Sequence, residues 1–344
     1  MSTRKKFAFF MVLQLPVQTV AGYLIEFNWL SVLIVFLMIP VFDVFLGRDS
    51  SNPGRDEMNK LQNDRFFLLW PLLWIPIQLF LLIAGGYIFV FESIPVYEKI
   101  GLLISVSLVT GSGIIIAHEF GHRKSKWERS AAKILLGMVN YLHFYIEHNK
   151  GHHQMAATPD DPSSARLGEN FYSFWVRSVS GSYMNAWAIE NKRIKSKNLP
   201  WYRNQMTWFS IIPFFLTAVA FISGGWQAVV YFLTQSFLAF SMLELINYIE
   251  HYGLTRKELS PGRFEKFSER HSWNANQRLS NIYMIHLERH SDHHANPDLR
   301  YQCLSHLEGS PQLPSGYGAM FPLALIPPLW FRKIDPLVES YRRS

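Results

Sequence analysis

Thirteen histidines stand in this 344-residue chain, and none falls in the first 117 positions. They gather in short repeats. His118 and His122 are four apart, with Glu119, Phe120 and Gly121 between them. His148, His152 and His153 follow Glu147, and His290, His293 and His294 enclose Ser291 and Asp292. His251 ends the stretch Asn247-Tyr248-Ile249-Glu250-His251. Residues three or four apart share a helix face. On that rule 118/122 make one face, 148/152 another with 153 turned about 100° away, and 290/293/294 a third. Neutral imidazole binds iron, copper, zinc and nickel. Magnesium and calcium prefer oxygen. Nine imidazoles exceed one coordination sphere, so two ions are expected. A carboxylate dyad or a Ser-His-Asp triad needs far fewer.

Acidic residues flank every cluster: Glu119, Glu147, Asp160, Asp161, Glu250, Glu288 and Asp292. Ligating histidines usually give their second N–H to a carboxylate or carbonyl. These acids, with His271 and His286, are therefore candidates for holding the imidazoles in place. His143 and His306 lie apart and read as ordinary polar residues.

The elements that position these groups are apolar. The chain is 49% hydrophobic and only 17% charged, against roughly 25% charged for an average soluble domain. Six long uncharged runs, at about 7–27, 29–46, 66–91, 100–120, 208–225 and 227–250, are each near the roughly 20 residues that cross a bilayer. The expected fold is an all-α integral membrane protein: six transmembrane helices under a histidine-rich cap, one domain over 1–344. Glu26, Asp43 and Glu244, in or beside the runs, should face the bundle interior. Trp29, Phe36 and Trp74 are candidates to line an apolar channel. No small-residue cleavage pattern follows the first run, so it reads as a retained span.

Arg4, Lys5 and Lys6 precede the first run, and Arg48, Arg55, Lys60 and Arg65 fill the 47–65 loop. Basic loops stay inside, so both termini are expected in the cytoplasm, with 118–204 and 251–344 as cytoplasmic segments. All four histidine clusters then emerge on one membrane side. The net charge of +7 suits anionic lipid or an acidic partner protein, and no nucleic-acid motif is present. Cys303 is the one cysteine, which excludes a disulfide framework and a Cys-held iron–sulfur cluster.

The pattern HxxxH, HxxxHH, HxxHH resembles the membrane fatty-acid desaturase and hydroxylase superfamily. Asn247-Tyr248-Ile249-Glu250-His251-Tyr252-Gly253-Leu254 resembles the signature N-Y-x-E-H-Y-G-L of the non-haem di-iron alkane 1-monooxygenases. Leu287-Glu288-Arg289-His290-Ser291-Asp292-His293-His294-Ala295 is similar to their L-Q-R-H-S-D-H-H-A, with Glu288 in place of the common Gln. The likeness is close from about 115 onward. It implies two iron ions held by His118, His122, His148, His152, His153, His251, His290, His293 and His294. It implies hydroxylation of the terminal methyl of n-alkanes with O2, and electrons from rubredoxin fed by an NADH-dependent reductase. It also implies a bacterial inner-membrane location. The chain has no nucleotide fingerprint of its own, so electrons must come from outside. An unactivated C–H bond offers an acid or base no charge to grip, so the hard step falls to a metal. Related readings are an oxygenase for alkylaromatics or acyl chains and, more distantly, a metal transporter. A transporter would carry its ligands near mid-membrane.

Overall fold

The computed structural model describes residues 6 and 8–343; Arg4 and Lys5, on which the orientation partly rests, lie outside them. Helix α1 (Gln14–Leu24) turns through Glu26 into α2 (Leu30–Leu46). Short α3 (Arg55–Asn63) leads to two 26-residue helices, α4 (Phe66–Phe91) and α5 (Val96–Gly121). Helix α6 (Lys126–Gly137) follows. Then comes α7, built from Phe144–Glu147, a π turn His148–His152, and His153–Met155. Next are the long helices α8 (Phe171–Ser196) and α9 (Gln205–His251). A hairpin of β1 (Glu258–Ser260) and β2 (Arg263–Phe264) precedes α10 (Arg278–Tyr283), α11 (His290–Ala295), α12 (Tyr317–Ala324) and α13 (Pro327–Arg343).

Length and composition set the architecture. Among the described residues three helical stretches, Arg55–Phe91, Val96–Gly121 and Gln205–His251, are long and apolar enough to cross a membrane, and 8–24 and 30–46 are shorter apolar helices. A 26-residue helix spans about 39 Å. Large apolar side chains stay exposed along α1, α4 and α9, among them Val17, Phe80, Phe214 and Ile222. Soluble monomers do not expose a surface of this kind; it belongs to a membrane protein. The two runs expected at 208–225 and 227–250 are the two helical arms of α9, separated by a sharp break where Gly224 and Gly225 leave helical geometry. Gly225 takes φ +63°, a conformation that favours glycine.

Helix α5 is the hub and packs against α1, α2, α4, α6 and α9. Small residues on it allow close approach: a side chain at Gly113 would collide with Gln78 of α4, and one at Gly101 with the Trp29 indole. Two of the three intramembrane acids are buried as expected. Asp43 accepts from the Leu279 and Ser280 amides (2.7 and 3.1 Å) and from the Ser280 hydroxyl, so α2 caps the N-terminus of α10. Glu244 accepts from the Tyr141 hydroxyl at 2.7 Å. Glu26 departs from the expectation. It is exposed at φ +57° in the tight α1–α2 turn, where the chain reverses and no helix covers it.

Candidate metal centre

Four elements end at one place. The C-terminal turn of α5 brings His118, with His122 just beyond it; α7 brings His148, His152 and His153. The last residue of α9 is His251, and α11 brings His290, His293 and His294. All nine predicted imidazoles meet, in two groups. His118, His122, His148, His153 and His293 form one; His152, His251, His290 and His294 form the other; within each, one ligand atom per residue lies within 4.8 Å of every other. In the first group the Nε2 atoms of 122 and 118 are 3.3 Å apart, 148 and 122 are 3.2 Å apart, 153 and 148 are 3.0 Å apart, and 293 and 153 are 3.2 Å apart. In the second, His294 Nε2 lies 2.9 Å from His290 Nε2.

The membership corrects the face assignment from spacing. His148 and His152 are four apart yet belong to different groups, and His148 pairs with His153. The cause is the π turn over His148–His152, whose i→i+5 bonding brings residues five apart into line. Gly151 sits in this turn, where a Cβ would press on Asn185 and Glu147. In α11, His290 and His294 join the second group while His293 crosses to the first.

The donor set fits metal ions. Nitrogens sharing an ion at about 2.0–2.1 Å are separated by roughly 2.9–3.4 Å, which is the spacing of the neighbouring imidazole nitrogens above. His152 Nδ1 donates to Asp161 Oδ2 at 2.9 Å, and His251 Nδ1 donates to the His271 carbonyl at 3.2 Å. These bonds leave the Nε2 lone pairs of both rings inward, and both atoms are buried without a partner among the described residues. An unmet buried acceptor in a polar pocket calls for an occupant. Burial, reinforced by neighbouring imidazoles, holds His148, His153, His290, His293 and His294 well below the ordinary histidine value. They are therefore neutral at pH 7, the ligating form. Burial also pulls His152 down, but Asp161, by charge and hydrogen bond, and Glu147 outweigh it and leave His152 above that value.

A fatty acid desaturase family profile matches residues 99–324, a span that holds every one of these histidines. Alkane 1-monooxygenase 2 of Pseudomonas aeruginosa is 40% identical over 319 residues, 91% of this chain and 84% of that protein. Alkane 1-monooxygenase 2 of Alcanivorax borkumensis is 40% identical over 322 residues, 91% and 83% of the two chains. The chain belongs to the alkane 1-monooxygenase branch of the fatty acid desaturase family. The xylene/toluene monooxygenase hydroxylase component of Pseudomonas putida is a more distant relative, 28% identical over 238 residues, 68% of this chain and 63% of that one.

Against this alkane 1-monooxygenase background the flanking residues divide. Asp161 and the backbone of His271 hold imidazoles, as above. Glu250 Oε2 lies 3.2 Å from His290 Nε2, at the edge of the second group. The others have different partners. Glu119 pairs with Arg123 at 2.9 Å. Glu147 accepts from Asn185 at 3.2 Å, and burial, with the Asp161 charge, pushes its carboxyl up to about 8. Asp292 accepts from the Ser305 amide and Asn296. Asp160 is exposed. The His286 ring faces the Tyr301 carbonyl and Phe9. Glu119, Glu147 and Asp292 each stand beside a ligand in sequence, but the helix turns them away. Glu288 accepts from the Tyr317 amide at 2.7 Å, and burial pushes its carboxyl up to about 8. His143 lies between Tyr141 and Tyr183, and His306 Nδ1 accepts from the Asn276 amide at 3.0 Å, both outside the two groups.

Three residues escape the sequence reading. The Tyr317 hydroxyl donates to Glu250 Oε1 at 2.9 Å. Phe267 stacks on His294 and Phe144 on His148, with centroids 4.6 and 4.7 Å apart. Only Phe144 carries a signal, because it sits four residues before His148.

On the membrane side of the alkane 1-monooxygenase site lies an apolar cavity. Ile115 of α5 and Ile246 of α9 line it, with Val35, Leu108, Met242 and Phe321. Ile115 is one turn from His118, and Ile246 is little more than one turn from His251. Trp29, Phe36 and Trp74 do not line it. Trp29 donates to the Tyr97 carbonyl, Phe36 faces Phe321, and buried Trp74 donates to Val109. Their indoles and ring serve helix packing.

Proposed function

We propose that this chain converts n-alkanes to primary alcohols, using O2 and two electrons, at two iron ions held by its nine histidines. The observation that carries the reading is the pair of imidazole groups beside an apolar chamber, whose lining residue Ile115 is one helical turn from His118. His118, His122, His148, His153 and His293 hold one iron. His152, His251, His290 and His294 hold the other, with Glu250 beside it. Iron supplies the oxidising chemistry that an unactivated methyl group requires.

The protein's own residues bind, orient and keep water out. The chamber's apolar lining takes a hydrocarbon with its end toward the imidazoles. Asp161 and the His271 carbonyl fix two ring orientations. Six crossings, with both termini and the cap in the cytoplasm of a bacterial inner membrane, put the metal centre where soluble donors reach it. Rubredoxin, reduced by an NADH-dependent reductase, is the proposed donor. Its docking site is the edge of the five-histidine group, where His122 and His153 are half-buried. Lys124 and Lys150 lie two residues from His122 and His148, and the ammonium groups of these exposed side chains, each in a 3.5 Å ion pair, with Asp298 and Glu190 respectively, are the cations offered there.

Cells carrying this chain with a rubredoxin and its reductase should turn mixed n-alkanes into 1-alkanols, read by gas chromatography–mass spectrometry. A His290→Ala strain should yield none. Benzylic alcohol from p-xylene alone would transfer the chain to the alkylaromatic reading that the xylene/toluene relative represents. The docking proposal has its own test: between about 50 and 300 mM salt the rate at limiting rubredoxin should fall several-fold. A flat salt profile would remove the basic edge as the docking site.

A further inference from the structure

The chamber and the lipid-facing surface share a wall, and that wall is polar at one point. A groove runs between α1 and α4, lined by Phe10, Val17, Val20, Ile77 and Phe80, with Gln14 also on it. Behind it, Leu15 from the same turn of α1 lines the chamber, as do Tyr283 and Met284 at the end of α10. The Tyr283 hydroxyl donates to Gln14 Oε1 at 2.7 Å, so one hydrogen bond joins groove to chamber. One turn along α1, Gln18 is 5% exposed. Its Nε2 reaches the Tyr283 hydroxyl at 3.5 Å, and its Oε1 is buried with no partner among the described residues. Turning the amide over exchanges the two atoms and still leaves one unpaired.

Gln18 itself lines neither space and meets the chamber through the Tyr283 hydroxyl; a buried unpaired polar atom costs free energy until something pairs with it. A hydrocarbon offers nothing. A primary alcohol offers one O–H donor and two acceptor lone pairs, so it satisfies Gln18 in either amide orientation. Its tail suits both the chamber and the groove. We infer that Gln14, Gln18 and Tyr283 form a binding station for the hydroxyl of a long-chain primary alcohol, set in the wall between chamber and lipid. The station gives the product, which is more polar than the substrate, a stopping point on its way to the bilayer. That role rests on the hydroxylase reading; binding of an added alcohol does not.

The test uses photo-crosslinking of the full chain in lipid nanodiscs. One probe is a dodecanol with a diazirine near its hydroxyl. The control is the same chain with methyl in place of hydroxymethyl. Labelled peptides are mapped by mass spectrometry. The alcohol should label Gln14–Leu24 or Arg278–Tyr283 about tenfold more than the control, the worth of one buried hydrogen bond. Gln18→Leu and Tyr283→Phe should each cut that preference to about twofold or less, leaving control labelling unchanged. Tyr283→Phe removes a single oxygen, so it keeps the test open if Gln18→Leu folds poorly. Equal labelling by both probes, or a preference that survives both substitutions, overturns the station. Octane turnover in the same nanodiscs separates the two ideas. Preference without turnover sinks the hydroxylase reading alone, and turnover without preference sinks the station alone.

Discussion

The two histidine groups lie side by side but are held in different ways. The five-imidazole group has two half-buried members, His122 and His153, and an edge toward solvent. The four-imidazole group is buried throughout. Two of its rings are also tied from behind, His152 by Asp161 and His251 by the His271 carbonyl, and Phe267 stacks on His294, while Nδ1 of His290 and of His294 has no partner among the described residues. The group with fewer ligands is therefore the better buttressed. Ligand number and rigidity are separate quantities here, and a dry site with two of its four tautomers fixed compensates for one imidazole fewer. The open edge of the larger group suits electron entry, and the enclosed group suits retention of its ion.

The largest effect should come from breaking the enclosed group. His251→Ala removes one of four ligands where no water replaces it. Iron, counted by plasma mass spectrometry, should fall from about two to about one per chain, and alkane hydroxylation by more than about 100-fold. His122→Ala removes one of five at a wet edge. It should keep more than half of the iron and lose about 10-fold in rate. Equal iron loss in the two variants would break the comparison.

A smaller effect should follow from loosening the tie and sparing the ligand. Asp161→Asn keeps the shape that accepts the His152 Nδ1 proton but removes the charge. Loss of such a partner costs about 10–100-fold in metal affinity or activity. Iron retention during chelator challenge should drop for the enclosed group first, and the rate with it. If the rate stays within twofold, Asp161 only supports the loop.

The histidines could be read in the sequence because ligation demands one side-chain type, and few other roles need nine of them on one membrane side. Their division into five and four could not. It depends on the π turn at His148–His152, which residue spacing judged on α-helical geometry misassigns. Apolar runs likewise announced the helices, since nothing else needs such stretches. The polar segment 118–204 carried no comparable signal, and the structure makes α8 of its middle. Tyr317 and Phe267 reach the site by tertiary packing alone, 67 residues from Glu250 and 27 from His294 respectively. Acids beside ligands were the weakest guide. One residue along a helix rotates a side chain by about 100°, so Glu119 and Asp292 turn away from the imidazoles next to them.

The smallest effect tests how far the buttressing extends. Asp161 sits in a loop that Arg177 of α8 clamps. The guanidinium donates to the Pro162 and Ser164 carbonyls, each at 3.0 Å, and in a fork to Glu169 at 2.8 and 2.7 Å. Burial pushes Glu169 up, but hydrogen bonds from Arg177 and the Arg166 amide, with both arginine charges, outweigh it and hold the carboxyl below its ordinary value. A carboxyl lowered on folding stabilises above its unfolded value, about 4.3, and that stability is lost as pH falls through the folded value. Glu169→Gln should therefore cost about 1 kcal/mol at pH 7, the figure for a partly exposed charged pair after solvent screening. The gap to wild type should narrow as pH falls below about 4.3 and close only once the pH passes the lowered folded value, where both side chains are neutral. Thermal unfolding in detergent at pH 7 and pH 3.5 reads the gap. Chelator challenge at pH 7 then asks whether a looser loop releases iron from the enclosed group faster. A stability gap with unchanged iron release would confine the clamp to folding and end the buttress at Asp161.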